Sequence, residues 1–186
     1  MTSTAASTTD QAAAASTPTS KQAASANLPL TKRPVDIFFI CVFSIFIITC
    51  IISDSVEGLG IPQVAHSSNL LAQWNYTYAS QYDPLYQREE VWLRFISGTS
   101  AFLYMPFYVI LVISLVRGWN RIQIFAVIYA TMIISLTAIP IFGAEFFGPI
   151  PTPNPVMFLL YNAPYVVFPF VLLLRMRKPL PFQRAF

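Results

Sequence analysis

The chain has 186 residues, of which 55% are hydrophobic and only 10% are charged, whereas an ordinary soluble domain has about 25% charged residues. This composition excludes a soluble domain and predicts an integral membrane protein. A net charge of +3, from 11 basic and 8 acidic residues, is too small for a nucleic-acid surface, so no nucleic-acid partner is expected.

The N-terminal segment, residues 1–31, is rich in Ala, Ser, Thr and Gln. Asp10 and Lys21 are its only charged residues, and it has no aromatic residue. Such a composition cannot bury enough apolar surface to offset the entropy lost on ordering. We therefore predict a disordered cytoplasmic arm over residues 1–31.

Four predominantly apolar stretches follow, each close to the ~20 residues that span a bilayer. They run from about Val35 to Ser53, from Phe95 to Val116, from Ile122 to Ile141 and from Val156 to Leu174. Prolines interrupt or end three of these stretches, and a proline kink frees backbone groups and opens space between helices. The sequence predicts an all-α integral membrane protein, a four-transmembrane-helix bundle with proline-kinked helices and an internal cavity that suits a hydrophobic or amphiphilic ligand.

Basic residues predict the orientation of this bundle. They precede the first stretch, join the second to the third and follow the fourth: Lys32, Arg33, Arg117, Arg121, Arg175, Arg177 and Lys178. Because cytoplasmic loops carry an excess of Lys and Arg, both termini are predicted to be cytoplasmic. The long segment from Asp54 to Val91 is then luminal, and residues 179–186 form a cytoplasmic tail.

Two acidic residues near the predicted membrane surface are candidates for function. Asp54 ends a long apolar run, and a carboxylate at that depth is by default a functional candidate, although it could equally face luminal water. Asp83 precedes Pro84 and could simply start a turn. Glu57 and Glu145 are expected to be solvated, and Asn75-Tyr76-Thr77 is a glycosylation sequon on the luminal side. The chain has no metal-ligand spacing and no nucleotide-binding motif, so no cofactor is expected.

Several short motifs, taken in order, resemble one known family. The resemblance covers residues 32–178 and is to the EXPERA domain, nearest to the sigma-2 receptor (transmembrane protein 97) branch, which also includes relatives named efficient mitochondria targeting-associated proteins. The motifs are Arg33-Pro34-Val35-Asp36, Tyr82-Asp83-Pro84-Leu85, Met105-Pro106-Phe107, Ile139-Pro140 and Asn162-Ala163-Pro164-Tyr165.

The resemblance implies a four-helix endoplasmic reticulum protein, often a homodimer, whose cavity binds sterols, oxysterols or lipophilic amines. It implies a role in sterol trafficking, or in the handling of mitochondrial precursor proteins, which would make a membrane-protein client a further partner.

The resemblance also assigns residues to the cavity. Asp54 matches the acid that pairs with a ligand amine, and Asp83 matches a second, supporting acid that we expect to share a proton with Asp54. Tyr165 and Thr137 match pocket-lining positions. Ser100 and Tyr104 stand where the animal receptors have a glutamate and a glutamine.

The related emopamil-binding protein is a sterol isomerase, and its reaction needs an acid and a base within the membrane. In this chain Ser100 replaces the corresponding acid and no histidine falls in an apolar stretch. A non-enzymatic ligand-binding protein is therefore expected, with a sterol Δ8-Δ7 isomerase-like enzyme as the alternative. A structural tetraspan is disfavoured because the outer loops lack cysteine.

Overall fold

The computed structural model describes residues 27–88 and 90–183, so residues 1–26 of the predicted arm lie outside the described part. Four helices are long and apolar enough to cross a membrane, which confirms the predicted fold class. We label the helices α1 (Pro34–Gly58), α2 (Leu70–Tyr82), α3 (Val91–Arg117), α4 (Ile122–Phe147) and α5 (Pro155–Met176), of which all but α2 are the candidate spans.

Helix α1 continues beyond the apolar stretch that ends at Ser53. Glu57 therefore lies on the helix and is only 3% exposed, and its Oε2 accepts a 2.6 Å hydrogen bond from Gln63. The prediction of a solvated Glu57 is wrong. The helix ends at Gly58, as the sequence predicts, and this glycine also allows close packing, because a Cβ atom at this position would lie 2.7 Å from Cα of Gly98 on α3.

Helix α4 also extends past its apolar stretch and includes Glu145. The carboxyl group is fully buried, at 0% exposure, so the prediction that Glu145 is a surface group in a luminal loop is wrong. Its Oε1 accepts a 2.9 Å hydrogen bond from the backbone N–H of Leu85. The acid is thus held inside the bundle by a tertiary contact.

Helix α2 lies within the long segment from Asp54 to Val91, for which the sequence predicts no helix. Asn69 caps it, since its Oδ1 accepts hydrogen bonds from the N–H groups of Leu71 and Ala72 at 2.9 and 3.2 Å. The buried face includes Asn75, which is 5% exposed and donates a 2.7 Å hydrogen bond to the carbonyl of Ile52. The side-chain amide of Asn75, to which a glycan would be attached, is therefore buried inside the fold.

Three spans contain a π-helical segment, at Cys50–Asp54 in α1, Ser100–Tyr104 in α3 and Ile133–Ala138 in α4. The last two directly precede the turns that contain Pro106 and Pro140. Because proline lacks a backbone N–H, the helix before it is easily rewound, and π segments are frequent at functional sites. All the candidate residues on these three helices lie in these segments.

One end of the bundle, which we call the basic end, is closed by a buried ion cluster. Asp36 is 0% exposed and contacts Arg33 at 2.8 Å and Arg175 at 2.9 Å. Both guanidinium groups also lie over the ring of Phe182 in the predicted tail, at 5.1 and 5.8 Å from its centre. The backbone N–H of Leu28, in the predicted arm, donates to the carbonyl of Phe182 at 2.9 Å. Residues from the N-terminal arm and from the C-terminal tail are therefore both packed against this end of the membrane domain.

The apolar core lies next to the basic end. Phe43, Tyr108 and Leu111 are fully buried there, and Tyr129 on α4 donates a 3.1 Å hydrogen bond to the hydroxyl of Tyr108. The aromatic rings fill the space between α1, α3 and α4. The opposite half of the bundle, which we call the cavity end, is packed differently and holds the candidate residues.

Candidate functional site

A cavity of about 320 Å³ occupies the cavity end of the bundle. Side chains from all five helices line it, and apolar surface predominates on its walls. Trp74 and Tyr161, exposed to 52% and 49%, lie where the walls reach the surface. Five of the six candidate residues line this cavity: Asp54, Asp83, Ser100, Thr137 and Tyr165.

The sixth candidate, Tyr104, does not line the cavity. It is 3% exposed and its ring packs edge-to-face against Tyr129, with 5.4 Å between the ring centres. Within the π segment of α3, Ser100 lines the cavity, whereas Tyr104 faces the core. The family resemblance assigns Tyr104 to the cavity, but the side chain does not reach the cavity wall.

Asp54 is held by two neighbours through a single oxygen. The hydroxyl of Ser100 donates a 2.5 Å hydrogen bond to Oδ2, and the thiol of Cys50 donates to the same atom at 3.1 Å. Among the described residues, none donates to Oδ1. The carboxyl group thus has a fixed orientation on the cavity wall and one oxygen left for a ligand.

Ser100 marks a chemical difference from the receptors that the sequence resembles. A glutamate at this place would put a second acid beside Asp54, whereas the serine supplies a donor. Hydrogen bonds to a charged group contribute about 1.5–3 kcal/mol. The chain therefore stabilises the charged form of Asp54 with Ser100 instead of opposing it with a second carboxylate.

Tyr165 forms the aromatic wall next to Asp54. Its ring stacks on Phe46, with 4.3 Å between the ring centres and 20° between the planes, and its hydroxyl donates a 2.5 Å hydrogen bond to Thr49. Pro164 precedes it and begins the second part of α5 after a break at Ala163. This break, predicted from the prolines, turns the ring toward the cavity.

Asp83 has a different partner from the one predicted. It lies in the turn after α2, is 0% exposed, and its carboxyl group is adjacent to that of Glu145. Asp54, by contrast, has Ser100 and Cys50 as its partners. The prediction that Asp54 and Asp83 share a proton is therefore wrong, since the carboxyl neighbour of Asp83 comes from α4.

Two polar residues beside Asp83 complete this wall of the cavity. The hydroxyl of Tyr78 donates to Oδ2 of Asp83 at 3.3 Å, and Asn162 donates to the hydroxyl of Tyr78 at 2.8 Å. Asn162 interrupts an apolar stretch, so the sequence predicts that it needs a partner. The sequence holds no comparable signal for Glu145, because its partners, Leu85 and Asp83, are distant in the chain.

The fold and the cavity define an all-helical, multi-pass membrane protein with a small acidic cavity inside its helix bundle. Residues 69–176, more than half of the chain, match the sequence profile of EBP: EXPERA (EXPanded EBP superfamily). The chain therefore belongs to the EXPERA family, as the motifs predict. Among curated proteins, none matches this sequence closely enough to be compared with it.

Proposed function

We propose that the protein binds an amphiphilic lipid-like ligand, a sterol, an oxysterol or a lipophilic amine, in the cavity, with Asp54 as its polar anchor. The observation that carries this proposal is the fixed carboxyl group of Asp54, with Oδ1 available, on the wall of a largely apolar cavity. A volume of about 320 Å³ is at the lower end of the range for small-molecule sites.

The proposed activity is binding and not catalysis. Sterol isomerisation needs an acid and a base placed on opposite sides of the reacting bonds. Ser100 lines the cavity where the related enzymes have an acid, and His66, the single histidine of the chain, is exposed and does not line the cavity. These two features support a carrier or sensor of lipids over the alternative, a Δ8-Δ7 isomerase-like enzyme.

The cellular role proposed here follows from the resemblance and from EXPERA membership. The protein belongs to the sigma-2 receptor branch and resides in the endoplasmic reticulum membrane with both termini in the cytoplasm. There it acts in sterol trafficking or in the handling of mitochondrial precursor proteins, as a homodimer that binds a membrane-protein client. The basic residues at one end of the bundle support this orientation.

Mass spectrometry of the full-length protein, gently purified from membranes, tests the binding proposal. We expect a sterol to co-purify with the wild type and to be lost from Ala138→Phe, which fills the cavity because Ala138 lines it and is 5% exposed. Lys178→Ala, outside the cavity, is the matched control. Recovery of bulk phospholipid alone from the wild type would contradict the proposal.

Expression in cells that lack their Δ8-Δ7 sterol isomerase tests the absence of catalysis. We expect no Δ7 sterols in the lipid extract, although the protein accumulates in the membrane. Restored Δ7 sterols would show that the cavity supplies an acid and a base, and the isomerase alternative would then replace the proposal.

A further inference from the structure

The carboxyl groups of Asp83 and Glu145 form a buried pair behind one wall of the cavity. Each has one oxygen with a donor, since Tyr78 donates to Oδ2 of Asp83 and Leu85 donates to Oε1 of Glu145. The other oxygen of each, Oδ1 and Oε2, is buried and has no donor among the described residues. A single proton held between these two oxygens satisfies both.

No cation neutralises this pair within the described residues. Arg88 is close enough to act on the charge of Glu145, but it is bound to Glu90 at 2.9 Å and its side chain is 30% exposed. The other titratable groups that face the pair are the phenols of Tyr78 and Tyr86. Two adjacent buried carboxylates without a cation are strongly unfavourable, so the pair retains one proton.

The hydrogen bonds favour the proton on Asp83, because the backbone N–H of Leu85 donates to Glu145 at 2.9 Å and so stabilises the charged form of that carboxyl group. Burial and the adjacent Glu145 carboxyl group raise the pKa of Asp83 well above its ordinary value of 3.8. Asp83 lines the cavity, whereas Glu145 does not. The negative charge of the pair thus lies on the side away from the ligand, and the cavity wall at Asp83 is neutral.

We propose that Glu145 is a positioning residue that keeps Asp83 protonated and so sets the ligand specificity of the cavity. The cavity then has one anionic anchor, Asp54, and a neutral polar wall at Asp83 that suits a hydroxyl or carbonyl oxygen. This selects ligands with one cationic or polar head over dications. The inference rests on the proposed function for its ligands, but the state of the carboxyl pair can be tested without any ligand.

Infrared spectroscopy of the purified full-length protein at neutral pH tests the carboxyl pair directly. We expect the wild type to show the absorption of a protonated carboxylic acid that Asp83→Asn removes and Asp10→Asn, in the N-terminal segment, leaves in place. Glu145→Gln should also remove it, because the amide donates to Asp83, which can then ionise. If the Asp83→Asn spectrum keeps the full absorption of the wild type, the proposal is overturned, even if Glu145→Gln does not fold.

Competition between two probes tests the specificity. One probe is a lipophilic monoamine, and the other is the same molecule with a second amine at its far end. We expect Glu145→Gln to raise the affinity for the diamine relative to the monoamine by about tenfold, as the negative charge moves to the cavity wall. Asp10→Asn should leave the ratio unchanged.

The outcomes separate this inference from the proposed function. If the wild type binds the monoamine but Glu145→Gln has the same ratio as the wild type, the inference is wrong and the binding function stands. If the wild type binds neither probe, the binding function fails, and the infrared result still decides whether the carboxyl pair holds a proton.

Discussion

The hydroxyl of Ser100 lies 2.5 Å from Oδ2 of Asp54 and donates to it, joining the π segments of α1 and α3 at the cavity wall. This bond fixes the carboxyl group with a neutral donor. It also leaves Oδ1 without a hydrogen bond from any described residue, so that a ligand can bind the carboxyl group without displacing Ser100.

Removal of the donor should weaken ligand binding without abolishing it. In Ser100→Ala, the Cys50 thiol still contacts Asp54, but the carboxyl group loses its shorter hydrogen bond. We expect the affinity for a lipophilic amine to fall roughly three- to tenfold in equilibrium binding, part of the ~1.5–3 kcal/mol of such a bond. Thr99→Ala, whose hydroxyl bonds only to the carbonyl of Phe95 in its own helix, should bind like the wild type. Equal affinities in all three proteins would mean that Ser100 does not orient Asp54.

The sequon at Asn75 should remain unmodified in the folded protein, because the side-chain amide is buried and bonded to Ile52. We expect no mobility shift on glycosidase treatment of the wild type. His66→Asn creates a sequon with Ser67 and Ser68 in an exposed turn, and this variant should be glycosylated if the segment is luminal. A shift in the wild type would contradict the burial of Asn75. No shift in His66→Asn would contradict the proposed orientation.

The ion cluster at the basic end should be important for stability. Arg175 contacts both oxygens of Asp36, at 2.9 and 3.1 Å, so Arg175→Ala leaves a buried carboxylate with half of its partners. Breaking a buried pair costs about 3–5 kcal/mol, and we expect a clear decrease in the thermal unfolding midpoint in detergent. Arg177→Ala changes an exposed residue two positions away and should unfold like the wild type. Equal midpoints for the two variants would refute this role of the cluster.

The protonated state of Asp83 should make stability depend on pH. Below 3.8, its ordinary pKa, Asp83 is protonated in both the folded and the unfolded state. As the pH rises above that value, only the unfolded state ionises, so the folded state loses stability relative to it by up to about 1.4 kcal/mol per pH unit until the raised pKa is reached. We expect the unfolding midpoint of the wild type to fall more steeply with pH than that of Asp83→Asn. Parallel pH profiles would indicate that Asp83 is ionised in the folded protein.

The spans could be predicted from the sequence because hydropathy is a local property and a bilayer fixes the length of a helix. Asp54 could be found too, since a carboxylate after an apolar run stands out in a hydrophobic chain, whereas Tyr165 could be assigned to the cavity only through the family resemblance. Both line the cavity.

The acidic residues near the ends of the spans could not be placed in this way. Glu57 and Glu145 look like solvated residues near the ends of the spans, but the fold places Gln63 beside Glu57, and Leu85 and Asp83 beside Glu145. Helix α2 could not be predicted either, because its burial also depends on contacts with other parts of the fold. Its thirteen residues are too polar for a span, and its burial depends on small residues that fit against α1.

The affinity of Asp54→Asn for a lipophilic amine tests the central claim most directly. The variant keeps the size and the hydrogen-bonding capacity of the side chain but removes the charge that we propose as the ligand's anchor. We expect a loss of at least about thirtyfold, equivalent to ~2 kcal/mol, while an uncharged analogue of the same shape binds to both proteins alike. If Asp54→Asn binds the amine as tightly as the wild type does, Asp54 is not the anchor and the proposed binding mode is contradicted.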